Sequence, residues 1–384
     1  MLHGINLEVA AEWNRRMLLQ ILRTSGQKTR RELAAVTGLS MPAIANIAGL
    51  LIKDGFVRES GRTSGNRGQP AIRLQMVKDR AIGIGVDVGS SRMRLVAVNL
   101  AGQVVHRRTQ VLDVADEAVV CAKIVDAVAE LIVSGIVDPG KVIGVAVARC
   151  GSSVDHADRG EGAPNAIVRL GGRADQPASE NELTFVSSYD ALAAMEPFYR
   201  TGHEVERFGY VHLSDTPSLV TVTGRSTGHL YVEAKRIPQG AKIAARLHAA
   251  SEAKPTATTT TASTGTVADC AGDLHLALHE AYGRSVPTTL YVGGYVTDLV
   301  AVDLATALGK LRGSGSVVCP ATTPNYAVAI GAAAMLIEDR LMPQGVLCPK
   351  INDDIGGELE TLARFGSRSA TAATCKPIDR GTMN

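Results

Sequence analysis

The side chains best suited to chemistry in this chain are arginines set beside turns. Arg30 and Arg31 lie in Thr29-Arg30-Arg31-Glu32, and Arg62 and Arg67 lie in a Gly- and Arg-rich stretch that includes Gly65-Asn66-Arg67-Gly68-Gln69-Pro70. A guanidinium is a permanent planar cation whose paired N–H groups match phosphate oxygens, so clustered arginines suit a nucleic-acid backbone. Arg30 and Arg31, at the start of a helix, would meet phosphates. Arg67, between glycines that let the backbone come close, suits a narrow minor groove. Any one of these alone reads as ordinary surface charge; the set on one motif points to duplex DNA. Nearby, Ser40 and Asn46 can hydrogen-bond base edges, with Met41 beside them, so direct readout should be modest.

The charge distribution agrees. Residues 1–80 hold 13 Lys/Arg against 6 Asp/Glu, the remainder 27 against 32, for a net of only +2. A basic head on a mildly acidic body suits a DNA-binding module joined to a ligand-binding one. The 6 cysteines (121, 150, 270, 319, 348 and 375) are scattered, which gives neither a metal-knuckle spacing nor a disulfide framework. Buried reduced thiols are the expectation. Met1 to Met17 is polar and mixed in charge, and the most apolar helical stretch, Tyr326–Ile337, is too short to span a bilayer. The expectation is a cytoplasmic protein with no membrane partner.

The elements that must position these residues follow from local signals. Asn14 to Ser25 has Met17, Leu18, Ile21 and Leu22 at helical spacing, and Gly26 stops it. Thr29 and Glu32 fit a capping box, in which the Thr hydroxyl accepts the Glu amide and the Glu carboxylate reaches back. A short helix buries Leu33, Ala34 and Val36. Gly38-Leu39 turns the chain, Ser40 caps a third helix with Pro42 in its first turn, and Ile44, Ile47, Leu50 and Leu51 form its apolar face. This is a helix-turn-helix. Phe56 to Arg58 and Ala71 to Leu74 read as two strands flanking a wing, 59–70. Beyond residue 80, two blocks of three strands, helical segments and a strand suggest two α/β lobes facing a cleft, where a small ligand would sit.

With these pieces in place the chain resembles the ROK family of repressors, open reading frames and sugar kinases. Thr29 to Ala34, Gly38 to Ser40 and Asp54 to Val57 resemble its repressor head; Arg67 to Ala71 resembles its Gly-Arg-Pro-Ala joint; Ile82 to Gly89 resembles the opening strand of its kinase-like domain. Gly144 to Val147 with Gly151 and Asp155, Ala163-Pro164-Asn165, Tyr189-Asp190-Ala191, Gly293-Gly294 and Ala329 to Ala333 continue the match in order, over about residues 14–340. The resemblance implies an α/β chain: an N-terminal winged helix-turn-helix (1–78) followed by a two-lobed actin-like fold of the sugar-kinase, RNase H-like kind (79–340). One lobe would comprise 79–190 with 325–340, the other 191–324. A tail, 341–384, has no assigned role.

It also implies chemistry that this chain departs from. Phosphoryl transfer needs close backbone approach to phosphates. The family's first phosphate loop, Asp-x-Gly-Gly-Thr, here reads Asp87-Val88-Gly89-Ser90-Ser91. Its second, Gly-Thr-Gly-x-Gly, here reads Asp215-Thr216-Pro217-Ser218-Leu219, with every glycine lost and a carboxylate where phosphate would sit. The family's Glu-x-Gly-His falls near Ala245 to His248, and its zinc cysteines give way to a Thr-rich run, 255–266, that reads as a low-complexity mobile loop. No zinc and no cofactor are expected, and His248 reads as an ordinary histidine. Asp190 matches the family's catalytic base and has two readings, a polyol hydrogen-bond acceptor or a helix-start cap for Ala191 to Phe198. Gly151 and Asn165 are weaker candidates for the same effector pocket.

The expected function is a transcriptional regulator, read as a repressor of carbohydrate-related genes and not an enzyme. It would bind a double-stranded DNA operator as a homodimer or homotetramer held by the body, and answer a sugar or sugar derivative. The alternative is an ATP-dependent sugar kinase carrying a DNA-binding head.

Overall fold

The computed structural model describes residues 7–62, 70–112, 117–149, 167–169, 182–199, 207–224, 230–252 and 259–342. The first helix, α1, runs Leu7–Ser25, beginning at Leu7 rather than Asn14. Apolar spacing does not register the early turns, which carry a Glu12–Arg16 pair at 2.8 Å, one turn apart. Gly26, at φ 72°, ends it. Then come β1 (Lys28–Thr29), α2 (Arg30–Thr37), α3 (Met41–Lys53), β2 (Val57–Arg62) and β3 (Ile72–Met76). The strands form an antiparallel sheet in the order β1-β3-β2. Leu18, Leu22, Leu33, Ile44, Leu51 and Leu74 are buried and join the helices to the sheet. Val36, expected inside, is 50 % exposed.

The body begins with β4 (Ile82–Val88), β5 (Arg92–Asn99), β6 (Val104–Val111), α4 (Glu117–Val133) and β7 (Val142–Arg149), followed by β8 (Ile167–Arg169), β9 (Glu182–Ser187) and α5 (Ser188–Tyr199). The strand order is β6-β5-β4-β7-β9-β8. Every residue of β4 is buried, as befits a central strand covered on both faces, whereas edge strand β6 alternates. The second lobe has β10 (Arg207–Leu213), β11 (Ser218–Gly224), β12 (Leu230–Arg236), α6 (Gly240–Glu252), α7 (Thr259–Tyr282), β13 (Thr289–Gly294), α8 (Asp298–Arg312) and β14 (Val317–Pro320), in the order β12-β11-β10-β13-β14. The repeat of strands, helix and strand is therefore present in both lobes; β8 and β9 were not anticipated. The Thr-rich run is a correction. From Thr259 onward it is helical, because Val267, Cys270, Ala271, Leu274 and Leu278 form a buried face that carries the preceding residues along.

The last helix, α9 (Ala327–Leu341), packs on β4, β5, β7 and α5. It lies backbone to backbone with its neighbours: a Cβ at Gly85 would fall 1.9 Å from the Ala329 carbonyl oxygen, and one at Gly331 would fall 1.8 Å from that of Ala191. Only glycine fits either position. The far end of α9 meets the head. Arg16 donates to the Asp339 carbonyl at 3.1 Å, and Leu18, Leu19 and Leu22 share one apolar cluster with Leu336, Ile337 and Met342. Half-buried Glu338 faces Arg23 there; desolvation pushes its carboxyl up to about 7, with the arginine pulling the other way.

Candidate DNA interface and interlobe cleft

In the head, local hydrogen bonds set the presentation of α2 and α3. The Thr29 hydroxyl accepts the Glu32 amide at 3.2 Å, and the Glu32 carboxylate accepts the Thr29 amide at 2.7 Å. That amide, followed by the hydroxyl, holds the Glu32 carboxyl below its usual range. Thr29 itself is buried, so its part is to anchor the start of α2, from which Arg31 is exposed. Arg30 reaches Glu59 on β2 at 3.2 Å, tying α2 to the wing strand. Arg31 and Arg62 are exposed. Ser40 caps α3, its hydroxyl accepting the Ala43 amide at 3.4 Å. Met41 and Asn46 are exposed on the outer side of α3, while Ile44, Ala48 and Leu51 are buried beneath. Arg67 lies outside the described residues, as do Gly151 and Asn165.

Between the lobes lies a second cluster. Asp87, next to the end of β4, lies opposite Arg94 of β5, and both are buried, with Arg94 Nη1 3.7 Å from Asp87 Oδ2. The Arg94 guanidinium sits 3.6 Å above the Tyr295 ring, and its Nε donates to Asn325 Oδ1 at 3.0 Å. Desolvation raises the Asp87 carboxyl to about 6 against the pull of Arg94 and a hydrogen bond from Tyr295. Desolvation, with Arg94 close by, lowers buried His212 to about 3, so its imidazole stays neutral. Arg94, His212, Tyr295 and Asn325 were not singled out from the sequence. The signal available was Arg94, an arginine set between Met93 and the apolar run Leu95 to Val98.

The two loops that would hold phosphate in a kinase meet each other here. Asp215 Oδ2 accepts the Ser90 amide at 3.2 Å and the Ser90 hydroxyl at 2.6 Å. Pro217 packs where a Cβ on Gly240 would fall 2.9 Å from its own Cβ, and Leu219 is buried in the second lobe's core. Arg92 and Glu252 bridge the lobes again at 3.1 Å. A cavity of about 410 Å³ remains, lined by Arg92, Arg94, Asp215, His248, Tyr295 and Thr297 among others. Asp190 does not line it; it lies in the first turn of α5, which begins at Ser188, so it is not the cap expected before Ala191. His248 contacts the Leu213 carbonyl oxygen at 3.3 Å. Among the described residues no group of His, Cys, Asp or Glu is arranged to hold a metal ion, and no single helix is long and apolar enough to cross a membrane.

No protein-family model matches the chain. It is 25 % identical over 134 residues to an uncharacterized protein of Sinorhizobium fredii, covering 35 % of this chain and 34 % of that one. It is 26 % identical over 92 residues to the xylose repressor of Caldicellulosiruptor bescii, covering 24 % of this chain and 23 % of that one. The chain thus matches about a third or less of these relatives' length. Over 92 % of its length, and 99 % of the other chain, it superposes on a ROK-family transcriptional regulator homologous to the Escherichia coli Mlc protein, at 13 % identity and a TM-score of 0.54. The chain has the fold of a ROK-family transcriptional regulator.

Proposed function

We propose that this protein is a sequence-specific DNA-binding repressor of carbohydrate-related genes, with a body that senses a sugar or sugar derivative and carries out no phosphorylation. The observation that carries the reading is the head: a capped α2, an exposed α3 and a β2–β3 wing stem, on the most basic part of the chain. The partial likeness to a xylose repressor supports a sugar-linked role. Loss of catalysis is argued from Asp215. Its carboxylate occupies the Ser90 amide that a phosphate would need, and adds charge of the wrong sign. The protein works in the cytoplasm on double-stranded DNA. It pairs through its body as a dimer or dimer of dimers, because one winged helix reads few base pairs and two half-sites give adequate specificity.

Selection of bound duplexes from a random-sequence pool by the purified full chain tests the first part. Recovery of a shared, roughly palindromic sequence is expected, and binding that shows no sequence preference at 0.15 M salt overturns it. A coupled ADP-release assay across hexoses, pentoses and amino sugars tests the second; sugar-dependent turnover above background restores the kinase alternative.

A further inference from the structure

The outer face of α3 is nearly without hydrogen-bonding groups. Met41, Pro42, Ala45, Asn46, Gly49 and Leu50 are exposed along it, and Met41 and Leu50 keep 48 % and 46 % of their surface. No charged residue occurs between Met41 and Lys53, where the helix ends. Ser40, just before it, accepts the Ala43 amide and keeps its hydroxyl proton to donate. Recognition of guanine in the major groove ordinarily uses Arg or Lys against N7 and O6, and cytosine uses Asp or Glu against N4. Neither type is present on this face. What remains is one carboxamide, the Ser40 hydroxyl at the helix start and a set of apolar groups.

Those remaining groups have a defined complement. A carboxamide pairs bidentately with adenine N6 and N7, and the apolar feature of the major groove is the thymine 5-methyl. Asn46 lies one turn from Pro42 and from Leu50, with Met41 and Ala45 alongside at the helix start, where recognition helices enter the groove. Ala45 and Gly49 are small, and a Cβ at Gly49 would meet nothing within 4 Å, so the helix is slim where it must approach base edges.

Resting on the reading of the head as a DNA-binding module, we infer that α3 reads an A·T-rich half-site, with Asn46 selecting one adenine and Met41 and Ala45 packing on thymine methyl groups.

The test uses the full chain and the duplex recovered by the pool selection, resynthesised with uracil in place of thymine inside the α3 footprint. This exchange removes only the 5-methyl groups and leaves phosphates and base-pair hydrogen bonds intact. Affinity should fall by about fourfold per contacted methyl, the cost of leaving one methylene-sized group unburied, while uracil outside the footprint should change it little. Met41→Ala, at an exposed position that leaves the fold intact by circular dichroism, should reduce the preference for thymine over uracil. Asn46→Ala should abolish discrimination at one A·T pair, about tenfold. A G·C-rich footprint, or uracil duplexes bound as tightly as thymine duplexes, overturns the inference while leaving DNA binding standing. Failure to recover any bound sequence would instead remove the underlying reading.

Discussion

The head and the interlobe cleft use polar side chains in opposite ways. In the head, Thr29, Glu32 and Ser40 spend their hydrogen bonds on helix ends, which leaves Arg31, Met41, Asn46 and Arg62 facing solvent. In the cleft, Asp87, Arg94, Tyr295 and Asn325 spend theirs on one another, and Asp215 turns inward onto Ser90. The head presents its groups to solvent; the cleft turns its groups on one another, and leaves Asp87 Oδ1, Arg94 Nη1 and both His212 ring nitrogens buried without a hydrogen-bond partner among the described residues. A kinase has the reverse need, since its phosphate loops must stay unsatisfied until nucleotide arrives.

The sharpest way to break this contrast is to empty the cleft's centre. Arg94→Ala should destabilise the protein by about 3–5 kcal/mol, because it strands the buried Asp87 carboxylate without its partner. Denaturant unfolding measures it, and a loss below 1 kcal/mol would mean the cluster is not mutually dependent. In the head the comparable change is smaller. Thr29→Ala should cost about 1 kcal/mol, the usual worth of a helix cap; a variant as stable as the parent would show the capping box to be idle. Arg31→Ala should leave stability within about 0.5 kcal/mol. It should instead lower DNA affinity evenly across sequences and reduce the slope of log affinity against log salt by about 1. A change in base preference would move Arg31 from backbone to base contact.

A pH-dependent effect lies where head and body touch. The Glu338 carboxyl titrates near 7 when folded and near its ordinary 4.5 when unfolded. The folded state therefore holds a proton that the unfolded state gives up as pH rises, and the contribution present below about 4.5 is lost as pH passes through about 7. Thermal unfolding midpoints should fall between pH 5.5 and 8 more in the parent than in Glu338→Gln. Parallel curves for the two proteins would place Glu338 in water.

Much of the head was legible in the sequence because its signals are local: a cap three residues from its partner, a glycine after a helix, and a third helix with Ile44 and Leu51 on one side. The β1 strand escaped notice because two residues carry no period. The cleft was legible only as a departure in its loops. The contact of Arg94 with Asn325 spans 231 residues of chain, and Tyr295 follows β13 in the opposite lobe. Such neighbours are set by how the lobes close, which no local pattern records. The Thr-rich run misled for a related reason: its composition suggests a loop, but the apolar face that makes it helical lies downstream.

Finally, α9 links the cleft to the head. Asn325, in the turn before it, holds Arg94 in the cleft, and Asp339, near its end, holds Arg16 of the head. The fifteen residues between Ala327 and Leu341 span about 22 Å at 1.5 Å each. Because Gly85 and Gly331 key the helix to β4 and α5 with no intervening side chain, it has no compliant layer in which to absorb a push. A tilt of about 5° at the cleft end would move the other end by about 2 Å, given that length. That is a large displacement for the hydrogen bond from Arg16 to the Asp339 carbonyl, between the head and the end of α9.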